Sequence, residues 1–232
     1  MIFRQWYDAE SSTYTYLLAD EQTRQAVLID AVRDQVERDL AQLRELGLEL
    51  VYVLDTHTHA DHVTAAGSLR AKTGAKTVAG RTAAPCADLH LEDHATLRVG
   101  LLEITALATP GHTDDGVSYL VGDRVFTGDA LLIRAAGRTD FQNGDAGQLY
   151  DSITNKLFAL PDDTLVYPAH DYRGLTVSTI GEEKRFNARI ANRTREDFIK
   201  IMGDLNLPKP RMLDEAVPAN RACGLDQKVV QG

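Results

Sequence analysis

Residues 51–62 read Val-Tyr-Val-Leu-Asp-Thr-His-Thr-His-Ala-Asp-His, a short apolar run followed by His57, His59, Asp61 and His62 within six positions. The apolar run has the length of a buried strand. Side chains two apart on extended backbone point the same way, so His57 and His59 converge on one point just beyond its end. Asp61 and His62 then fall where the next helix is expected to start. Imidazole is the commonest metal ligand. A surface loop with scattered histidines is the plain alternative, but three of the chain's seven histidines fall in this one run. A zincin helix would space its histidines four apart around a glutamate, and that pattern is absent.

The same arrangement recurs downstream. Thr109-Pro110-Gly111-His112-Thr113 follows an apolar run at 102–107, and Thr127-Gly128-Asp129-Ala130 follows Val125-Phe126. Pro168-Ala169-His170-Asp171 follows Leu165-Val166-Tyr167. Each places a His or Asp at a strand's C-terminal end beside Gly or Pro, the setting of loop-mounted ligands above a rigid sheet. His90 and His94 sit in a polar stretch without that setting and are assigned to the surface.

The rest of the chain supplies the frame. Runs at 14–19 and 26–29 around the polar turn 21–25 predict a hairpin. Val36, Leu40, Leu43 and Leu46 recur at helical spacing within 32–46, with Gly47 as a stop. A second helix is expected over 63–73, ending near Gly74. Strands are expected at 76–79, 95–99, 102–107, 117–121, 124–126 and 165–167, and helices at 147–157 and 193–203. The segment 208–218 carries prolines and reads as irregular. Interleaved helices and strands with consecutive strands in the middle predict an α/β protein, two sheets packed together with helices outside. One domain over 1–232 is expected, with roughly 180–232 as a C-terminal extension.

Composition narrows the partners. The formal net charge is −9, so a general nucleic-acid role is not expected. No apolar stretch approaches the roughly 18 residues that cross a bilayer, and acidic residues interrupt the N-terminus, so no membrane role and a cytoplasmic location are expected. Cys86 and Cys223 are the two cysteines; far apart and outside any CxxC pair, they read as free thiols in a reducing compartment.

The series His57, His59, Asp61, His62, then His112, Asp129 and His170, resembles the metallo-β-lactamase superfamily from about residue 14 to 170. That resemblance implies an αβ/βα sandwich, two mixed β-sheets flanked by helices, with metal at one edge. Further segments resemble the persulfide dioxygenase branch: 137–142 (Gly-Arg-Thr-Asp-Phe-Gln), 170–174 (His-Asp-Tyr-Arg-Gly), 178–187, 217–220 (Val-Pro-Ala-Asn) and Cys223-Gly224. It implies oxidation of glutathione persulfide by O₂ to sulfite and glutathione at one non-haem Fe(II) per chain, held by His57, His112 and Asp129. His59, Asp61, His62 and His170 would shape the pocket or hold a second metal. Two histidines and a carboxylate on one face of iron leave coordination positions open, as in many Fe(II) oxygenases.

By the same resemblance Arg138 and Tyr172 contact glutathione, whose carboxylates suit a guanidinium fork. Asp140 and Asp171 would support them, although an ordinary Arg138–Asp140 ion pair is the plainer reading of the spacing. The family often carries Cys between the first two histidines; here that position is Thr58. A homodimer is the family-level expectation. The competing readings are a glyoxalase-II-like thioester hydrolase with two metals bridged by Asp129 and a non-catalytic metal or thiol sensor, for which no output domain is visible.

Overall fold

The computed structural model describes residues 1–225. Two six-stranded sheets face each other. The first holds β1 (Ile2–Asp8), β2 (Thr13–Ala19), β3 (Gln25–Ile29), β4 (Glu49–Leu54), β5 (Lys76–Gly80) and β6 (Leu89–Leu91), in that spatial order. The second holds β7 (Thr96–Val99), β8 (Leu102–Ala108), β9 (Val117–Val121), β10 (Arg124–Gly128), β11 (Leu165–Pro168) and β12 (Ser178–Thr179), also in order. Hairpins make β1–β2 and β2–β3 antiparallel, whereas β3, β4, β5 and β6 run parallel. Parallel neighbours need crossovers. Helix α1 (Val36–Glu45) supplies the one between β3 and β4, and α2 (Ala66–Thr73) the one between β4 and β5.

The expected hairpin, both early helices and the strands at 50–54, 76–79, 95–99, 102–107, 117–121, 124–126 and 165–167 all form, with ends shifted by a few residues. The expected 147–157 helix is α3 (Ala146–Ser152), capped by Asp145, running into a π-turn over Ile153–Leu157. The expected 193–203 helix is α5 (Arg195–Gly203), started by a Thr194/Asp197 capping box. Helix α4 (Ile180–Phe186) packs with α3 and α5 on the outer face of the second sheet, through Ile180, Phe198 and Leu149.

Two expectations are corrected. The segment 208–218 is not irregular throughout: α6 (Leu213–Asn220) forms with Pro218 inside it. At its C-terminal end Asn220 hydrogen-bonds the backbone of His59, His62 and Thr64 in the loop after β4. Cys86 and Cys223 are not free thiols: they form a disulfide across 137 residues of sequence. A bond across that distance leaves no local sequence signature.

Between the sheets lies a core of Leu18, Val27, Ile29, Leu54, Val78, Ile104, Tyr119 and Phe126, all buried. Phe3, Tyr16, Phe126 and Tyr167 contribute an aromatic cluster with centroids 4.9–6.2 Å apart. The sheets also hydrogen-bond at one edge. Tyr14 N–H donates to the Ala169 carbonyl at 2.7 Å, and the Tyr16 hydroxyl donates to the Pro168 carbonyl at 2.6 Å. That seam brings the C-terminal ends of β3, β4, β10 and β11 together. No described helix is long and apolar enough to cross a membrane.

Phe126 bridges the sheets at 1% exposure. Phe126→Ala should lower stability by about 3–5 kcal/mol through lost burial and the cavity left behind. A calorimetric melt should show Tm falling by about 10 °C.

Candidate metal centre

The seam gathers every strand-end ligand candidate. His57, His112 and Asp129 each offer a donor atom within 4.8 Å of the others, and so do His59, Asp61 and His62. The expected ligands therefore fall into two adjoining sets, with His170 beside both. Its Nε2 lies 3.4 Å from Asp61 Oδ1 and 3.8 Å from Asp129 Oδ1.

Hydrogen bonds fix which ring nitrogen is available. His57 Nδ1 faces Thr56 Oγ1 at 3.0 Å, and that hydroxyl donates to Asp30 Oδ2 at 2.9 Å. His59 Nε2 donates to Asp30 Oδ1 at 3.1 Å, which leaves Nδ1 with a lone pair. His112 Nδ1 donates to the Arg138 carbonyl at 2.6 Å, leaving Nε2 toward Asp129 Oδ2 at 3.6 Å. His62 Nδ1 donates to Asp61 Oδ2 at 2.8 Å. A ligating imidazole needs its other nitrogen held in this way.

Unpaired atoms test the fit. Asp129 Oδ1, His59 Nδ1 and His62 Nε2 are buried without a hydrogen-bond partner. Buried polar atoms without partners are costly, and all three belong to residues of the two ligand sets. Burial, with neighbouring imidazoles adding to it, holds His57 and His59 well below the usual imidazole range. They are neutral at ordinary pH, the state that ligates. Burial opposes charge on His170 too, but Asp61 and Asp129 outweigh it and carry its pKa up to about 10. The reciprocal attraction to His170 and His62 overcomes burial at Asp61 and holds that carboxylate well below its usual range. The donor set thus suits a metal at His57, His112 and Asp129, beside a second set that is also preorganised.

Two glycines are required here. Gly128 sits at φ +53, and a Cβ there would lie 2.6 Å from Thr56 Oγ1. A Cβ on Gly137 would lie 2.8 Å from His112 Nδ1. Either side chain would displace an imidazole or its support.

Several supporting residues escaped the sequence reading. Asp30, 1% exposed, takes the Thr56 N–H at 2.8 Å in addition to the Thr56 hydroxyl and His59. Its signal was present, since Ala-Val-Leu-Ile-Asp is one more apolar run ended by a carboxylate. Asp115 binds the backbone and hydroxyl of Thr58 from behind, and Gln142 donates to the Thr58 carbonyl. Asp171 accepts the N–H groups of Arg173 and Leu175, which shapes the loop beyond His170, and its Oδ2 lies 3.9 Å from the Arg173 guanidinium.

The metal sets floor a cavity of about 580 Å³, lined also by Arg138, Tyr172, Arg189, Leu207, Pro208 and Arg211. Tyr172, 71% exposed, stands at the mouth with its ring stacked parallel to His170. Arg138 is bidentate to Asp140 at 2.7 and 2.8 Å and also donates to the Pro208 and Leu207 carbonyls. Arg189 is half-buried, meets a carbonyl and the Met202 sulfur, and has no carboxylate partner among the described residues. Burial accordingly lowers its pKa. His90 and His94 lie outside this site, as expected.

A sandwich of two sheets that concentrates neutral histidines and carboxylates at one edge is the architecture of the metallo-β-lactamase superfamily, whose family model matches residues 9–87 and 84–170. The chain is 50% identical over 228 residues to the human mitochondrial persulfide dioxygenase ETHE1, covering 97% of this chain and 89% of that protein. The crystal structure of ETHE1 from Myxococcus xanthus superposes with a TM-score of 0.96 at 63% identity, covering 97% of this chain and all of that one. A Dictyostelium discoideum protein described as glyoxylase B2 is more distant, at 32% identity over 94% of this chain and 89% of its own length. The chain belongs to the persulfide dioxygenase family, a family of oxidoreductases within that superfamily.

Asp30 accepts from three donors, and Asn would place an N–H₂ against at least one of them. Asp30→Asn should weaken metal binding by about 10–100-fold, read by chelator competition. Wild-type affinity in that variant would remove Asp30 from the site.

Proposed function

We propose that this chain oxidises glutathione persulfide with O₂ to sulfite and glutathione, using one ferrous ion held by His57, His112 and Asp129. One observation carries the reading: a donor set of two imidazoles and one carboxylate, each imidazole oriented by a hydrogen bond at its other nitrogen, opens onto a cavity that also holds the half-buried Arg189, which has no carboxylate partner among the described residues. The cavity volume is in the range of small-molecule sites and fits a tripeptide thiol. Overall, RSSH, O₂ and H₂O give RSH and sulfurous acid: the S–S bond breaks and the outer sulfur is oxidised.

A ferrous ion at this set supplies the redox step that zinc cannot. The chain's residues do the remainder. Thr56 and Asp30 hold His57, and the Arg138 carbonyl holds His112, so two imidazoles present fixed lone pairs. His170 Nε2 lies 3.4 Å from Asp61 Oδ1 and 3.8 Å from Asp129 Oδ1, and the attraction of those carboxylates favours its protonated form next to the ligand set. Neither Arg189 nor Arg211 has a carboxylate partner among the described residues, and Arg189, the one held half-buried against the Ala136 carbonyl, is placed to take a substrate carboxylate. Arg138 has four of its N–H groups already engaged and both contacts substrate and holds the 207–208 wall, with Tyr172 closing the mouth.

A second reading has its own observation. His59 Nδ1 and His62 Nε2 are also buried and unpartnered, as a second metal ion would require. That site would be binuclear and would hydrolyse a glutathione thioester, with a metal-activated water as nucleophile.

Metal analysis and oxygen uptake separate the two. Anaerobically purified protein should carry about one iron per chain and consume O₂ only when glutathione persulfide is added. Two zinc ions per chain with rapid lactoylglutathione hydrolysis and no O₂ consumption would establish the hydrolase instead. Arg189→Ala should raise KM for glutathione persulfide by roughly tenfold or more with little change in kcat, as expected for loss of a charge-assisted hydrogen bond away from the reacting sulfur. An unchanged KM would reject that anchor.

A further inference from the structure

The metal loop runs from Asp55 to Ala65 almost without helix or strand. Its backbone N–H and C=O groups must therefore find partners elsewhere. The C-terminal tail provides three of them through one side chain. Asn220, at the end of α6 and 4% exposed, accepts the Thr64 N–H at 2.8 Å. Its amide donates to the His59 carbonyl and to the His62 carbonyl, both at 2.9 Å. These bonds span the stretch that contains His59, Asp61 and His62, two residues beyond the ligand His57.

What holds Asn220 there is the residue three positions on. Cys223 is buried in the layer between the first sheet and its helices, and its carbonyl accepts the Gly67 N–H at 2.8 Å. Packing is close: a Cβ on Gly67 would lie 2.6 Å from the Cys223 carbonyl oxygen, and one on Gly224 would lie 2.1 Å from that of Thr64. The disulfide joins Cys223 to Cys86 in the loop between β5 and β6, and Cys86 Sγ lies 3.9 Å from the Asn220 carbonyl oxygen. Helix α6 itself is short and contains Pro218, so it has little stability of its own to hold Asn220 in place.

We propose that Asn220 is a positioning residue for the metal site and that the Cys86–Cys223 disulfide is the latch that keeps it there, so that reduction by a thiol loosens the metal. Cys86 is only partly buried and is the sulfur open to attack. A thiolate RS⁻ attacks Cys86 Sγ, and Cys223 leaves as thiolate. A second RS⁻ attacks the outer sulfur of the mixed disulfide, releasing Cys86 and forming RSSR. Two thiols are oxidised by two electrons in total, and their two protons end on the cysteines. The tail then keeps its hydrogen bonds but loses its covalent tie, and the 59–64 backbone gains freedom.

The inference rests on a metal at His57, His112 and Asp129 and not on that metal being iron. The full chain is loaded with zinc, and transfer to a chromophoric chelator is timed before and after reduction by a phosphine. The same is done anaerobically with ferrous ion. Thiol titration should give no free thiols before reduction and two per chain after it. Metal transfer should be about tenfold faster after reduction, the size of effect seen when groups supporting ligands are lost. The Cys86→Ser/Cys223→Ser double variant should release metal at the fast rate and ignore the phosphine, which also controls for chelation by the reductant. Asn220→Asp keeps the acceptor for Thr64 but loses both donors; it should release metal at the fast rate with its disulfide formed and its Tm within a few degrees of wild type. Equal rates for oxidised and reduced wild type, or two free thiols before reduction, overturn the latch. A wild-type rate in Asn220→Asp overturns the positioning role. If the variants fail to fold, the wild-type comparison still decides the latch. An absence of persulfide-dependent O₂ uptake would sink the proposed reaction while leaving the zinc result intact.

Discussion

The site depends first on one buried carboxylate. Asp30 receives the Thr56 N–H, the Thr56 hydroxyl and His59 Nε2, and through Thr56 it reaches His57. A carboxylate at 1% exposure is expensive unless its lone pairs are filled, and here the donors that fill them are the groups that must be fixed. The cost of burying Asp30 and the need to orient two imidazoles are met by the same bonds. Its backbone adopts φ +52, a left-handed conformation that Asp tolerates better than most residues. That turn ends β3 and directs the carboxylate under the loop that follows β4.

Around that anchor the sandwich works as a device for assembling distant residues. Asp30, His57 and His59 come from the first sheet, and His112, Asp129 and His170 from the second. They meet because Tyr14 and Tyr16 hydrogen-bond across the seam to Ala169 and Pro168, while the interior between the sheets is filled by apolar and aromatic side chains. The set of His57, His112 and Asp129 draws on three separate strand ends in two sheets, so metal binding there and sheet closure are coupled: what holds the seam holds that geometry.

How much of this was legible follows from what each residue leaves in its local sequence. A ligand placed directly after an apolar run announces itself, which is why His57, His59, Asp61, His62, His112, Asp129 and His170 could be picked out together. The interleaving of runs and periodic segments likewise pointed to two sheets with helices outside. Contacts made across long sequence distances were not legible. Asn220 reaches His59 over 161 residues, and Cys86 reaches Cys223 over 137. Helix α6 was obscured by Pro218, because local propensity argues against a helix there and only tertiary contacts argue for one. Strand β1 carries Arg4, Gln5 and Asp8, which mask its pairing with β2. The spacing of Arg138 and Asp140 pointed to an ion pair, and that pair forms; nothing in the sequence distinguished Arg189 as an arginine half-buried without one.

Charge links these features. The chain is acidic overall at −9, yet three arginines line the cavity. Their effects differ because their partners differ. Arg138 is neutralised by Asp140 and spends most of its donors on the wall of the cavity, so its field at the cavity floor is weak. Arg189 is half-buried without a carboxylate, and the attraction gained by bringing one to it offsets the desolvation that burial imposes. At the floor, protonated His170 lies between Asp61 and Asp129 and does for them part of what a metal cation does elsewhere. A cation bound at Asp129 and a proton on His170 are therefore coupled through the same carboxylates.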